Sequence, residues 1–278
     1  MSFYIIPTPI GNLDDLTLRS KNILSSLDFL VVENKQVSKK LLNKYSIEIK
    51  KILIYNDKSS EKDRKKIFSL LKTSSYGGII SDAGTPLISD PGFKLIRYLL
   101  ENNVEIISLP GPNSITTALV GSGLPTDKFQ FLGFAPKRTD GIKILFRKII
   151  DFDGTSIFFE SPLRVYKTLL VLEALDKNLR LQACLAKELT KINEKFIRGN
   201  ISEVIEEIES MPDLQKGEFV ILISSQNFKH EEIEVEELYE KLRKQLSVKD
   251  LSSVISIITG IKKNRLYKKF LQLSKKST

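Results

Sequence analysis

The apolar residues fall into short runs that alternate with stretches of helical spacing, and the alternation continues to about residue 225. Phe3-Tyr4-Ile5-Ile6, Phe29-Leu30-Val31-Val32, Lys51-Ile52-Leu53-Ile54-Tyr55, Tyr76-Gly77-Gly78-Ile79-Ile80 and Glu105-Ile106-Ile107-Ser108-Leu109 predict buried strands. Between them, helical spacing predicts a helix through Leu27 capped by Asp15 or Thr17, then helices over 38–45, 61–73 and from Phe93 to Glu101. Strands alternating with such helices indicate βαβ units and a mostly parallel sheet, an N-terminal α/β domain over residues 1–112. A helix capped by Ser114 then runs through Val120. Further strands follow at Phe129–Phe134, Thr155–Glu160 and Leu181–Thr190, with helices over 140–150 and from Leu163 to about Leu175. Phe196-Ile197-Arg198-Gly199 and Lys216–Ile223, with a helix over 201–210, predict antiparallel strands closing a mixed sheet, a second α/β domain over 113–225.

Beyond that the pattern weakens. Residues 226–240 are a polar, acid-rich connector holding His230, expected to be a solvated linker residue. Two helical patterns follow, Val248–Ile258 and Lys263–Leu273, a helix-turn-helix-like pair with a basic second helix. Ser247 and Asp250 approach a capping box, and Thr259-Gly260 suits a C-cap. The third segment is therefore 226–278, a small helical extension.

One loop organises the chain. Ser81-Asp82-Ala83-Gly84-Thr85-Pro86-Leu87-Ile88-Ser89-Asp90-Pro91-Gly92 lies between a strand and a helix, where an α/β sheet usually binds its ligand. Gly84 and Gly92 allow backbone angles closed to other residues, and Asp90 before Pro91 suits a helix cap.

Charge and composition narrow the chemistry. The chain has one cysteine, Cys184, and one histidine, His230, so a zinc cluster and a Ser-His-Asp triad are both disfavoured. No G-x-x-x-x-G-K-[ST] occurs, and Pro7-Thr8-Pro9-Ile10-Gly11 follows the first strand where a Rossmann enzyme needs its glycines. No apolar run approaches the roughly 20 residues that span a bilayer. Met1–Pro7 lacks the character of a signal peptide, so a cytoplasmic protein without a membrane segment is expected. The net charge of +9 is uneven: residues 241–278 hold eleven Lys/Arg against one acid, and the other 240 hold 32 against 33. The basic character is read as a property of the tail, suited to nucleic acid, a membrane surface or an acidic partner.

Seven stretches, in order, carry a resemblance: Tyr4–Leu13, Ser81–Gly92, Leu109-Pro110-Gly111-Pro112, Gly123-Leu124-Pro125-Thr126-Asp127, Phe159-Glu160-Ser161-Pro162, Ala186–Lys191 and Lys216-Gly217-Glu218. Together they resemble the tetrapyrrole methylase superfamily and, within it, the small-subunit ribosomal RNA methyltransferase I family. The resemblance implies two α/β domains of the tetrapyrrole methylase type with the cofactor cleft between them, plus the C-terminal helical extension. It implies S-adenosyl-L-methionine as cofactor and methylation of the ribose 2′-hydroxyl of a decoding-centre cytidine in small-subunit (16S) ribosomal RNA. The 30S subunit would be the partner, and the protein a homodimer. Cofactor contacts would come from Pro9, Gly11, Ala83, Gly84, Thr85, Pro86, Asp90, Pro110, Gly111, Pro112, Ala186 and Lys187. A hydroxyl nucleophile needs a proton acceptor, for which Glu33, Asp82, Glu160 and Glu188, acids at apparent strand ends, are the candidates. RNA phosphates would meet Arg19, Lys137, Arg138, Arg164, Arg265, Lys268 and Lys269, and Phe134 could stack on an unpaired base, although its alternating stretch also suits one core face. The chain departs from the family pattern at Asn34-Lys35-Gln36, Asn56 and Leu163. Two other readings stay open: a methylase of the same fold acting on a small molecule such as a tetrapyrrole, and a non-catalytic RNA- or ribosome-binding relative.

Overall fold

The computed structural model describes residues 1–176, 181–210, 216–225, 235–243, 245–259 and 263–276, and the chain forms two compact units, Met1–Gln226 and Asn227–Thr278. The first unit contains two five-stranded sheets. In the first sheet β1 (Ser2–Ile5), β2 (Phe29–Val32), β3 (Ile52–Ile54), β4 (Tyr76–Ile80) and β5 (Glu105–Ser108) lie in the order β3-β2-β4-β1-β5, every pair parallel. Helices on both faces explain why β2 is an unbroken apolar run, buried at all four positions. Leu24 of α1 (Leu18–Ser26) and Leu41 and Leu42 of α2 (Lys35–Lys44) pack with Leu30 and Val32 on one face. Ile67 and Leu71 of α3 (Glu61–Lys72) and Leu95 and Leu99 of α4 (Phe93–Glu101) pack with Phe3, Phe29 and Val31 on the other. From β1 the chain runs one way along the sheet to β2 and β3, and from β4 it runs the other way to β5. The connections part between the adjacent strands β1 and β4.

The second sheet is mixed. Strands β6 (Phe129–Phe134), β7 (Thr155–Glu160), β8 (Gln182–Lys187), β9 (Lys195–Asn200) and β10 (Phe219–Ser224) take the order β6-β7-β10-β8-β9, with only β6 and β7 parallel. Helices α6 (Thr139–Ile150), α7 (Val165–Asp176) and α8 (Ile201–Glu209) cover one face through Phe146, Leu169, Leu172, Val204 and Ile208. On the other face Ile157, Cys184, Ala186 and Leu222 pack against Ile115, Ala118 and Leu119 of α5 (Ser114–Ser122), and Ile10 joins this cluster from the first lobe, the one built on the first sheet. That packing fastens the two lobes together.

Thr17, not Asp15, caps α1, accepting the Ser20 N–H at 3.0 Å. Asn113 rather than Ser114 caps α5, its side-chain oxygen accepting the N–H groups of Ile115 at 2.9 Å and Thr116 at 3.3 Å. The second unit has three helices, α9 (Val235–Leu242), α10 (Val248–Thr259) and α11 (Lys263–Lys276), around Tyr239, Leu251, Ile255, Leu266 and Phe270. The stretch expected to be connector is thus helical from Val235, and the Tyr239 ring stacks on Phe270 at 5.0 Å. Ser247 caps α10 as expected, accepting the Asp250 N–H at 3.1 Å. His230 and Gly260 lie outside the described residues. Among the described residues no helix is long and apolar enough to cross a membrane.

Candidate active site

The loops after β1 and β4 meet at the point where the connections part, the position at which open α/β sheets bind ligands. Thr8 and Gly84 exchange backbone hydrogen bonds, Thr8 N–H to Gly84 O at 2.9 Å and Gly84 N–H to Thr8 O at 3.0 Å, and Gly84 has φ 77°. A third loop joins them: the Thr85 hydroxyl donates to Pro112 O at 3.0 Å, and the Asn113 amide donates to the Thr85 hydroxyl at 3.3 Å. A Cβ on Gly111 would lie 2.7 Å from Pro7 Cβ, so only glycine fits there. Of the cofactor candidates, Pro9 and Pro86 are buried in this junction, whereas Pro110 and Gly111 are exposed on its rim and Pro112 is half-buried.

The second lobe closes on the same junction. Asn12 N–H donates to the Thr190 hydroxyl at 3.0 Å, and a Cβ on Gly11 would come within 2.5 Å of Lys191 Cγ and 2.9 Å of Leu189 O. Among the described residues six non-glycine residues have positive φ, and four of them line these turns: Leu87 (74°), Ser89 (63°), Glu188 (51°) and Thr190 (64°). Such strain persists where surrounding structure enforces it, commonly at ligand sites. One predicted cap differs: α4 begins at Phe93 as expected, but with Gly92 (φ 133°) at the cap, so neither Asp90 nor Pro91 has the capping role expected of them.

Two cavities open here. One of about 110 Å³ is lined by Ala83, Gly84, Thr85, Asp90 and Asn113 of the first three loops. The other, about 360 Å³, is lined by Ile10, Glu160, Ser161, Gly217, Glu218 and Phe219. Ser114, Phe134 and Phe159 border both. Phe134 is 60% exposed, not core, and its ring sits 5.3 Å from that of Phe159. A β-bulge between Phe131 and Phe134, with Gly133 at φ 72°, breaks the strict alternation and presents Phe134 to the cleft.

The four candidate acids divide into two kinds. Glu160 is buried, and its carboxylate accepts from Arg164 at 2.5 Å, from the Thr168 hydroxyl at 2.7 Å and from Ser161 N–H at 2.6 Å. Glu188 accepts from Lys191 at 2.9 Å and from Glu218 N–H at 2.9 Å; burial raises its pKa, but these partners outweigh burial and hold it below the ordinary range. Glu33 and Asp82 have no cation beside them among the described residues. Burial raises both, and for Glu33 the charges of Asp82, Asp90 and Asp57 add to the effect. Asp82 accepts the Asn34 N–H at 3.1 Å, and the Asn34 side chain caps α2 by accepting from Gln36 N–H at 2.9 Å. The departure at Asn34-Lys35-Gln36 therefore keeps a helix cap beside the acids. Asp90 goes furthest, pushed up to about 6 by burial and by Asp82 and Asp57, against a hydrogen bond from Ser81.

Residues 2–205 match the family described as Tetrapyrrole (Corrin/Porphyrin) Methylases. The chain is 42% identical to "Ribosomal RNA small subunit methyltransferase I" of Hydrogenobaculum sp. over 84% of its own length and 99% of the relative's. It is 43% identical to the protein of that name from Rickettsia prowazekii, over 89% and 88%. The chain belongs to the ribosomal RNA small subunit methyltransferase I family of tetrapyrrole methylases. Among solved structures, uroporphyrin-III C-methyl transferase from Thermus thermophilus complexed with S-adenyl homocysteine shares the fold at TM-score 0.52 and 15% identity, covering 81% of this chain and 97% of that one.

As a member of this family the chain is a methyltransferase with S-adenosyl-L-methionine as methyl donor. The cleft fits that group. Its larger cavity lies in the ordinary range for small-molecule pockets, with aromatic walls at Phe134 and Phe159 and a hydroxyl at Ser114, and the smaller cavity beside it adds the Thr85 hydroxyl and the Asp90 carboxylate. Ala186 is fully buried in the core beneath the cleft, and Lys187 ends β8 with its ammonium 5.8 Å from the Phe219 ring.

The RNA candidates scatter. Arg19 is exposed on α1, Lys137 and Arg138 are exposed ahead of α6, and Lys269 is exposed on α11. The side chains of Arg265 and Lys268 lie outside the described residues. Arg164 is already engaged, donating to Glu160, Ser161 and Ala135, because it stands one helical turn after Glu160. Thr190, Asn113 and Ser114 also belong to the cleft, although the sequence pattern does not single them out as site residues. The signal for Thr190 is its place in the Ala186–Lys191 motif, and for Asn113 its place before a helix.

Proposed function

We propose that the chain methylates the ribose 2′-hydroxyl of a decoding-centre cytidine in small-subunit ribosomal RNA, acting on the 30S subunit as a cytoplasmic homodimer. The observation that carries this is its identity to small subunit methyltransferase I proteins over nearly their whole length. The reacting groups would meet in the cleft between residues 1–112 and 113–225, and the loop residues from Pro9 to Lys187 named above would hold the donor. When bound, the donor supplies an electrophilic methyl group, and the chain's task is orientation and proton transfer. Glu33 is the residue assigned to take the hydroxyl proton: its raised pKa makes its carboxylate a stronger base than a solvated one. Asp82 keeps that end of β2 in place through Asn34. Glu160 and Glu188, though at matching strand ends, hold the cleft wall together.

The test is methyl transfer from labelled S-adenosylmethionine to small subunits lacking the modification. Label recovered as 2′-O-methylcytidine supports the reading. Cofactor binding without transfer directs attention to another substrate, including a small molecule, and absence of cofactor binding sinks the enzyme reading.

A further inference from the structure

Residues 35–72 carry twelve Lys/Arg against four acids, while the chain outside this segment and the 241–278 tail carries 20 against 29. A second basic block therefore sits in the first lobe, masked by the acid-rich remainder. Eleven of its twelve cations are exposed and Arg64 is half-buried. Of these twelve cations, all among the described residues, only Lys44, with Asp14 at 3.5 Å, and Lys65, with Glu61 at 2.7 Å, form ion pairs.

The fold arranges this block around one edge of the first sheet, with α2 on one face and α3 on the other. The segment is α2–β3–α3, and β3 is the edge strand. In a parallel sheet each helix starts at the strand end that forms the cleft, so Lys35, Lys58 and Lys62 stand at the cleft end. Lys50 and Lys51 enter β3 from the opposite end. The basic edge thus runs the length of α2 and α3, about 15–18 Å at 1.5 Å per residue. At its cleft end stand the four acids that feel one another's charge: Glu33, Asp57, Asp82 and Asp90.

We propose that this outer edge is a docking surface for the RNA backbone. This rests on the ribosomal RNA reading above and adds where the strand lies. Phosphates are repelled by the acidic cleft and attracted by the lysines outside it. A nucleotide can therefore present its ribose to the cleft while the flanking backbone follows α2 and α3. Dispersed lysines suit a flexible polyanion that approaches from solvent better than a single rigid carboxylate partner.

The experiment compares three full-length proteins: wild type, the edge variant Lys39→Glu/Lys40→Glu/Lys62→Glu/Lys66→Glu, and a charge-matched variant Lys94→Glu/Arg147→Glu/Lys148→Glu/Lys167→Glu. A second edge variant with Gln at the same four positions guards against misfolding by charge reversal. Binding to unmodified small subunits and to a 16S RNA fragment is measured across salt, with cofactor affinity as control. The expected result is at least about tenfold weaker RNA binding for both edge variants. Their salt slope should be shallower by roughly 0.7 for each phosphate no longer neutralised, with cofactor affinity unchanged and the charge-matched variant close to wild type. Wild-type affinity and slope in the edge variants would overturn the surface, as would an equal loss in the charge-matched variant. Loss of binding to phosphatidylserine vesicles with RNA binding intact would overturn it in favour of a membrane. Failure of the wild type to bind either RNA would instead overturn the ribosomal RNA reading itself.

Discussion

Both lobes end strands in acids, yet the two pairs behave oppositely. In the second lobe Glu160 and Glu188 are answered by Arg164 four residues later and Lys191 three residues later, and each also accepts a backbone N–H. In the first lobe Glu33 and Asp82 face other acids, and burial raises their pKa values. The same sequence signal, an acid at the end of an apolar strand, thus marks a structural tie in one lobe and an unneutralised carboxylate in the other. What separates them is local: a cation one helical turn downstream.

The largest effect should come from breaking a tie. Arg164→Ala leaves the buried Glu160 carboxylate uncompensated and is expected to destabilise the first unit by about 3 kcal/mol, read as a lower midpoint in urea. Next, Glu33→Gln should lower single-turnover methyl transfer by about 100-fold or more, with folding midpoint and cofactor affinity near wild type. Gly11→Ala forces a methyl into Leu189 O and Lys191, so a stability loss of about 1–3 kcal/mol should accompany weaker cofactor binding by calorimetry. The smallest effect concerns Asp90. Its carboxyl titrates at about 6 in the fold against 3.8 ordinarily, so between those pH values the native state holds more protons than the unfolded state. Stability therefore falls as pH rises through that window. Asp90→Asn should flatten this dependence and be more stable at pH 7 by on the order of 1 kcal/mol, discounted because the group is partly exposed.

The parallel sheet was legible because buried strands such as β2 are unbroken apolar runs, and the organising loop because glycine, proline and aspartate leave few alternatives to a turn. The partners of the acids were nearly legible, since Arg164 and Lys191 stand at helical-turn spacing in the sequence. Other features depend on three dimensions. The bulge at Gly133 that presents Phe134, and the close approach of Gly11 to Thr190, join residues whose meeting no local pattern encodes. The basic edge was hidden for a different reason: averaging charge over 240 residues cancelled it against acids elsewhere. The α9 helix was obscured by its acids, which mask the spacing of Val235, Tyr239 and Leu242.

The most direct measurement is the single-turnover rate of methyl transfer to unmodified small subunits for Glu33→Gln and Glu188→Gln side by side, each saturated with S-adenosylmethionine. The expected result is a loss of about 100-fold or more for Glu33→Gln, and for Glu188→Gln a rate close to wild type with a lowered melting temperature. Full activity in Glu33→Gln, with the loss falling on Glu188→Gln, would contradict it.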